Sequence, residues 1–301
     1  MSAGPTGAVA APGRWLAVGA LLFNAFSFGV SWWPFRQISG LGLHPLWLTG
    51  ISYAFAVALL LLWRPAALAE LWRTPSLWAL MGAAGLTNAC FNWAVSFGDV
   101  VRVVLLFYLM PLWAVLLARL LLGERSTAGV LARVVLALAG ALAILWPAGG
   151  GLPLPRTLPD VLGLIGGFSF ALNNVMLRRD AARSEGARAL AMFAGGALVA
   201  GALAMLLTPG GTVPAVPALQ PGWVSWALLL GLAFLAGNLA LQYGAARLPA
   251  NATAVIMLTE VLFASASALA LGAGTLDLRL ALGGAAIVGA ALLAAREHAA
   301  S

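Results

Sequence analysis

A single acid, Glu260, lies at the centre of a long apolar run and is the strongest indication of chemistry in this sequence. It is the eleventh of the 22 residues in the run 250–271, and no other acid lies so centrally in such a run. Because a charge in an apolar setting is costly, an acid there needs a partner or a function. Glu260 could face a cavity, where it would bind a substrate ammonium group or carry a proton. It could instead be a neutral or hydrogen-bonded carboxyl that holds helices together.

Amide side chains recur at helical spacing in two other runs. Asn88, Asn92 and Ser96 are four residues apart and so share one face of a helix, and Asn238 and Gln242 repeat this spacing later in the chain. Amides in hydrocarbon need hydrogen-bond partners, so these faces are predicted to point into a helical bundle. An aqueous cavity lined by them would suit the carboxylate and amine of a zwitterion. Interhelical hydrogen bonding is the alternative.

Two further polar stripes occur in the first and sixth apolar runs. Asn24, Ser27 and Ser31 form the first stripe, and Ser169 and Asn173 form the second. These stripes could face each other and line a cavity, or they could serve helix packing.

A proline inside the fourth run predicts a kink or hinge, because Pro111 cannot donate a backbone hydrogen bond. Tyr108 precedes it by three residues and so lies on roughly the same face, where it could line a cavity or pack as a core aromatic. The candidate binding residues are therefore Asn24, Ser27, Asn88, Asn92, Tyr108, Asn173, Asn238, Gln242 and Glu260, with Pro111 as the candidate hinge.

The composition indicates which kind of element must position these residues. Of the 301 residues, 62% are hydrophobic and 8% are charged, whereas a soluble domain is about 25% charged. The chain is therefore predicted to be an all-α polytopic membrane protein. The net charge of +7 does not predict nucleic-acid binding, because the basic residues are scattered between apolar runs.

A membrane-spanning helix needs about 20 apolar residues, and ten runs approach or exceed this length. Arginines are concentrated on one side of the resulting topology, which predicts that both termini are cytoplasmic. The first run is interpreted as retained rather than removed as a signal peptide. The runs are 15–33, 43–63, 76–97, 101–122, 129–147, 158–177, 188–207, 222–243, 250–271 and 279–295, with tails at 1–14 and 296–301 and a linker at 148–157.

The second half of the chain echoes the first. Phe26-Ser27-Phe28 recurs as Phe168-Ser169-Phe170 at an offset of 142, and Leu122-Gly123 recurs as Leu271-Gly272 at an offset of 149. Five runs per unit is an odd number, so the second unit must enter the membrane from the opposite face. The sequence therefore predicts two inverted-topology five-helix repeats, 15–147 and 158–295, an architecture typical of secondary transporters.

One segment gives the chain a family resemblance. Tyr108-Leu109-Met110-Pro111-Leu112-Trp113 leads to Gly123-Glu124-Arg125, and over nearly its whole length the chain resembles the EamA-type exporters of the drug/metabolite transporter superfamily. In the second unit, Glu260 replaces the proline and Gly272-Ala273 replaces Gly-Glu. Leu258-Thr259-Glu260-Val261 is similar to the branch that exports aromatic and other amino acids.

This resemblance implies a transporter that exports amino acids across a bacterial inner membrane by alternating access. Its partners would be a small solute and the lipid bilayer, and whether protons are coupled to transport is open. A cationic drug, a nucleoside or a lipid precursor is the alternative solute. A membrane scaffold that transports nothing is a further alternative.

The sequence gives little support to other classes of function. Cys90 is the single cysteine, and His44 and His298 are far apart, so neither a disulfide framework nor a metal site is predicted. No glycine-rich phosphate loop or catalytic triad occurs in a convincing context. We expect neither a cofactor nor an enzymatic activity, since an enzyme would need polar residues clustered at one membrane interface.

Overall fold

The computed structural model describes residues 12–97, 100–124, 127–146, 155–272 and 278–296, and these residues form α-helices and no strands. The predicted all-α class is confirmed for this part of the chain. Asp99, Arg125, Ala273 and His298 lie outside the described residues, as do most of both tails and of the linker. The helices are α1 (Pro12–Gly29), α2 (Trp32–Gly40), α3 (Pro45–Trp63), α4 (Ala66–Arg73), α5 (Pro75–Phe97), α6 (Val100–Phe107), α7 (Met110–Leu122), α8 (Ala128–Leu145), α9 (Leu158–Arg179), α10 (Glu185–Leu207), α11 (Pro221–Arg247), α12 (Ala250–Met257), α13 (Glu260–Ala270) and α14 (Leu278–Arg296).

The length and composition of these helices indicate a multi-pass membrane protein. Six segments of the described chain are long and apolar enough to cross a bilayer, and three shorter helices are also apolar. Each of the ten predicted runs overlaps one helix or two consecutive helices, and the number of crossings stays a prediction. The six segments are Gly13–Gly40, Pro45–Trp63, Leu158–Arg179, Glu185–Leu207, Pro221–Arg247 and Ala250–Ser267.

The first, fourth and ninth runs, predicted as single helices, are each divided between two helices, and the first is interrupted at residues 30–31. The fourth breaks at Tyr108 and Leu109 because Pro111 has no N–H to donate to the carbonyl of Phe107. Pro111 itself lies in the first turn of α7, a position that tolerates proline, so the predicted mid-helix kink is instead a helix start.

The ninth run breaks at residues 258–259 without a proline. The Thr259 hydroxyl donates to the carbonyl of Ile256 at 2.7 Å, which competes with the regular helical pattern. Glu260, the predicted central acid, is therefore the first residue of α13.

Helix packing mainly joins the first half of the chain to the second. α5 packs on α9 and α10, while α11 packs on α1 and α3; α7 packs on α9, and α13 packs on α1. In the predicted repeat, α1 corresponds to α9, α3 to α10, α5 to α11 and α7 to α13. Exchanging each helix for its counterpart converts the contacts of α5 with α9 and α10 into those of α11 with α1 and α3. It also converts the contact of α7 with α9 into that of α13 with α1. Gly123 and Gly272, which correspond in the repeat, also have nearly the same left-handed φ, 69° and 70°.

The loops at one end of the bundle are rich in arginine. There Glu70 accepts hydrogen bonds from the backbone N–H and the hydroxyl of Ser184, at 3.1 and 2.5 Å, and Ser76 donates to Asp180 at 2.7 Å. These bonds join α4 and the start of α5 to the turn between α9 and α10. We call this the arginine-rich end, after Arg64, Arg73, Arg178, Arg179, Arg183 and Arg247.

Small residues allow the helices to approach closely. A Cβ atom at Gly85 of α5 would lie 2.6 Å from the carbonyl oxygen of Gly195, and one at Gly231 of α11 would lie 2.9 Å from that of Ser52. Gly85 and Gly231 correspond in the predicted repeat. In contrast, a Cβ atom at Gly82, one turn before Gly85, would meet no atom within 4 Å.

Substitution of alanine at Gly85 should therefore separate α5 from α10. We expect Gly85→Ala to destabilise the protein by roughly 1–3 kcal/mol, the usual cost of forcing extra atoms into a packed contact. Gly82→Ala, on the same helix, should leave the stability unchanged or slightly raised. Thermal unfolding of the detergent-solubilised variants measures both effects, and equal midpoints would show that this glycine contact does not set the helix spacing.

Candidate functional site

The breaks in the fourth and ninth runs lie on helices that pack together. α7 contacts α12, and both helices contact α9. Tyr108, in the first break, is buried, and Glu260, beside the second, lies close enough to interact electrostatically with it. Glu260 is partly accessible and stands in the first turn of α13, where the helix dipole favours a negative charge. The structure therefore brings together these two predicted site residues from opposite halves of the chain.

Asn24 and Ser27 on α1 make different kinds of contact. The Asn24 side chain is 1% exposed and donates to the carbonyl of Gly237 at 2.8 Å, which joins α1 to α11. The Ser27 hydroxyl donates to Phe23 of its own helix at 2.8 Å. Asn24 thus bonds with α11 and not with the polar stripe of the sixth run, now α9, which it could have faced according to the sequence.

Asn88 and Asn92 on α5 bind hydroxyl groups of α3. The Tyr53 hydroxyl donates to Asn88 at 2.8 Å, and the Asn92 amide donates to the Thr49 hydroxyl at 2.6 Å. Thr49 and Tyr53 are buried and were missed by the sequence analysis. Their four-residue spacing matches that of the two asparagines and is the signal that could have identified them.

Aromatic rings surround Tyr53 on its other sides. Its ring centroid lies 4.9 Å from that of Phe193 on α10 and 6.0 Å from that of Phe234 on α11. Phe234 in turn stacks on Phe28 at 4.9 Å. Tyr53 therefore links α3, α5, α10 and α11 through one side chain.

Asn238 and Gln242 on α11 are buried against α10. The Gln242 amide donates to the Asn238 carbonyl oxygen at 2.8 Å, and the Asn238 nitrogen lies 3.5 Å from the sulfur of Met192. With its amide rotated by 180°, Gln242 would instead donate to the carbonyl of Glu185 at 3.2 Å and accept from the N–H of Ala189 at 3.1 Å. The first orientation gives a hydrogen bond within α11, and only the rotated orientation joins Gln242 to α10.

Asn173 behaves differently, together with its neighbour Asn174 on α9. The Asn173 nitrogen donates to Asn174 at 3.4 Å, but among the described residues the Asn173 oxygen and the Asn174 nitrogen have no hydrogen-bond partner. The same holds for the hydroxyl of Thr253 on α12 and the indole N–H of Trp113 on α7. A buried polar group without a partner costs about 1–3 kcal/mol, so such groups mark positions where water or a solute can bind.

At the arginine-rich end, Glu124 connects three segments. Its carboxylate lies 3.9 Å from Nε of Arg178 and accepts a hydrogen bond from the backbone N–H of Ala250, while Arg178 also donates to the carbonyl of Ala246 at 2.7 Å. Burial raises the pKa of the Glu124 carboxyl, and the Arg178 cation and the Ala250 N–H oppose this shift. These contacts join the turn after α7 to the end of α9 and the start of α12.

Comparison with known proteins relates this arrangement to transporters. Residues 15–146 match the sequence model of the EamA-like transporter family. This match supports the resemblance to the drug/metabolite transporter superfamily. It fits a membrane protein that carries small solutes rather than an enzyme, and it leaves the solute unidentified.

The remaining comparisons concern the fold. No curated protein sequence matches the chain significantly. One solved crystal structure is 20% identical, with a TM-score of 0.73 over 92% of this chain and 96% of its own. At this identity the likeness shows a shared fold and nothing about the solute.

The bond between Tyr53 and Asn88 offers a direct test of the polar contact between α3 and α5. Tyr53→Phe keeps the ring contacts but removes the donor to Asn88, so we expect a loss of about 1 kcal/mol in stability. Tyr243→Phe is the matched control, since it keeps the ring that lies 3.6 Å from the Arg247 guanidinium. Thermal unfolding should show a lower midpoint only for Tyr53→Phe, and unchanged midpoints for both variants would contradict the role given to this bond.

Proposed function

We propose that this protein is a secondary transporter of the EamA type that exports amino acids, aromatic and others, by alternating access across a bacterial inner membrane. The observation that carries this proposal is the meeting of two interrupted helices, one from each half of the chain, with Tyr108 and Glu260 beside the breaks. Interrupted helices at the interface of two related units are typical of solute sites in secondary transporters.

The proposed architecture has ten crossings in two inverted units, 15–147 and 158–295. The exchange symmetry of the helix contacts and the matching φ angles of Gly123 and Gly272 support it. The family match to residues 15–146 has nearly the same bounds as the first unit. By the positive-inside rule, the arginine-rich end is the cytoplasmic one, which places both termini in the cytoplasm.

The polar groups of the site suit an amino acid. The Glu260 carboxylate can bind an ammonium group, and the unpartnered amide atoms of Asn173 and Asn174 can bind a carboxylate or water. An aromatic cluster next to Tyr108 supports a preference for aromatic side chains, since the Phe107 ring lies 5.8 Å from Tyr108 and 5.7 Å from Phe170.

Glu260 also offers a means of coupling transport to protons. As an acid beside a helix break it can alternate between a proton and a substrate cation, which is the minimum that proton antiport requires. Facilitated diffusion needs no such alternation, so the dependence of flux on a pH gradient separates the two mechanisms.

Flux measurements in proteoliposomes test the proposal. We expect the purified protein to carry several labelled amino acids, at a rate that rises with an imposed pH gradient. Glu260→Gln should lower the gradient-driven flux about tenfold or more, the factor that corresponds to one lost interaction of a charged group. Glu185→Gln is the control, because Glu185 is an exposed acid in the first turn of α10.

Two outcomes would contradict parts of the proposal. If folded protein carries no amino acid, the solute assignment is wrong, and cationic drugs, nucleosides and lipid precursors are the next panel. If Glu260→Gln transports with unchanged gradient dependence, Glu260 is not the coupling group.

A further inference from the structure

The contacts of Glu124 join the two halves of the chain at the arginine-rich end. Glu124 belongs to the first half, whereas Arg178 and Ala250, which bind it, belong to the second. Arg178 also binds the carbonyl of Ala246, so the ends of α9 and α11 are tied to the same point. A separation of the two halves at this end would break the contacts of Glu124.

The sequence of the second unit has no acid at the corresponding position. Gly123 and Gly272 correspond in the repeat and share a left-handed φ, but the residue that follows is Glu124 in the first unit and Ala273 in the second. Arg36, the sequence counterpart of Arg178, is present in the first unit. Since an alanine side chain cannot form an ion pair, the Glu124 interaction is specific to the arginine-rich end.

Unpartnered polar atoms lie about one helical turn deeper than Glu124. Asn174 precedes Arg178 by four residues on α9, and Thr253 follows Ala250 by three on α12. Both side chains are fully buried, and among the described residues the Asn174 nitrogen and the Thr253 hydroxyl have no hydrogen-bond partner. Their helices pack on each other, and both pack on α7, which carries Glu124 at its end.

The unpartnered groups favour opening, because water or a polar solute could then bind them. The contacts of Glu124 oppose opening, because they exist only while α9 and α12 stay close to the turn after α7. The two sets of groups therefore act on the same equilibrium in opposite directions, and the conformation seen here is closed at this end.

We propose that Glu124 is a latch that closes a polar access path at the arginine-rich end, between α7, α9 and α12, for solutes that form hydrogen bonds. Asn173, Asn174 and Thr253 line this path, and the protein rests with the path closed. This inference rests on the proposed transport function and adds the route of the solute and its resting state.

Thiol labelling tests the latch without any solute. Because Cys90 is the single cysteine, Cys90→Ser gives a cysteine-free protein in which Thr253→Cys reports on the path. In lipid nanodiscs, a small charged methanethiosulfonate should label this cysteine slowly. Adding Glu124→Gln should raise the labelling rate about two- to fivefold, the factor expected for the loss of one partly exposed ion pair. Adding Glu185→Gln, which also removes a charge from this end, should leave the rate unchanged.

Native Cys90 serves as the control for general loosening of the fold. It is buried among Ala94, Val103 and Leu162, in a cluster that includes no residue of α12, so its labelling should not rise when Glu124→Gln is introduced into the otherwise native protein. If the labelling rate of Cys90 also rises, general loosening of the fold explains the effect, and the latch proposal is wrong.

Two further results would overturn the proposal. An unchanged labelling rate of Thr253→Cys after Glu124→Gln would show that Glu124 does not hold the path closed. Fast labelling with Glu124 intact would show that the resting path is open. Labelling needs no solute, so it tests the latch independently of transport. A negative labelling result does not contradict the proposed transport function, and a negative flux result does not contradict the labelling result.

Discussion

Hydrocarbon supplies no hydrogen-bond partners, so each backbone group in the membrane-spanning helices must be satisfied by the protein itself. The two central breaks meet this constraint by tight turns, in which Leu109 donates to Leu106 and Leu258 donates to Val255. Pro111 leaves the carbonyl of Phe107 without its usual donor, and this carbonyl approaches Gly167 on α9. At these two breaks the irregular backbone lies inside the bundle, beside polar side chains such as Glu260.

Hydrocarbon also provides no hydrophobic force between helices, because lipid tails are as apolar as the side chains. Close packing must therefore hold the bundle together. Glycines supply it at the crossings of α5 with α10 and of α8 with α14, where Gly140 and Gly283 face each other. Both crossings join the first half of the chain to the second. Flat contacts between small residues require few rotamer changes when helices slide past each other, which suits the proposed alternating access.

Two groups of polar side chains inside the bundle have different physical roles. Asn24, Asn88 and Asn92 hydrogen-bond with other helices and so fix the helix arrangement. Asn174 and Thr253 retain atoms without a hydrogen-bond partner among the described residues, and each such atom raises the free energy of the observed conformation. The first group maintains the scaffold, and the second lies on helices adjoining the proposed path.

The sequence by itself determined the membrane class, the positions of the apolar helices and the set of polar residues, because run length and helical spacing are local properties. It did not predict the break before Glu260, where no proline is present and the hydroxyl of Thr259 bonds to the carbonyl of Ile256. Only the tertiary structure decided that Asn24 bonds with α11 and that Glu124 meets Arg178 and Ala250. Helical periodicity shows which residues share a face, but the neighbour of that face depends on how each helix is rotated and packed.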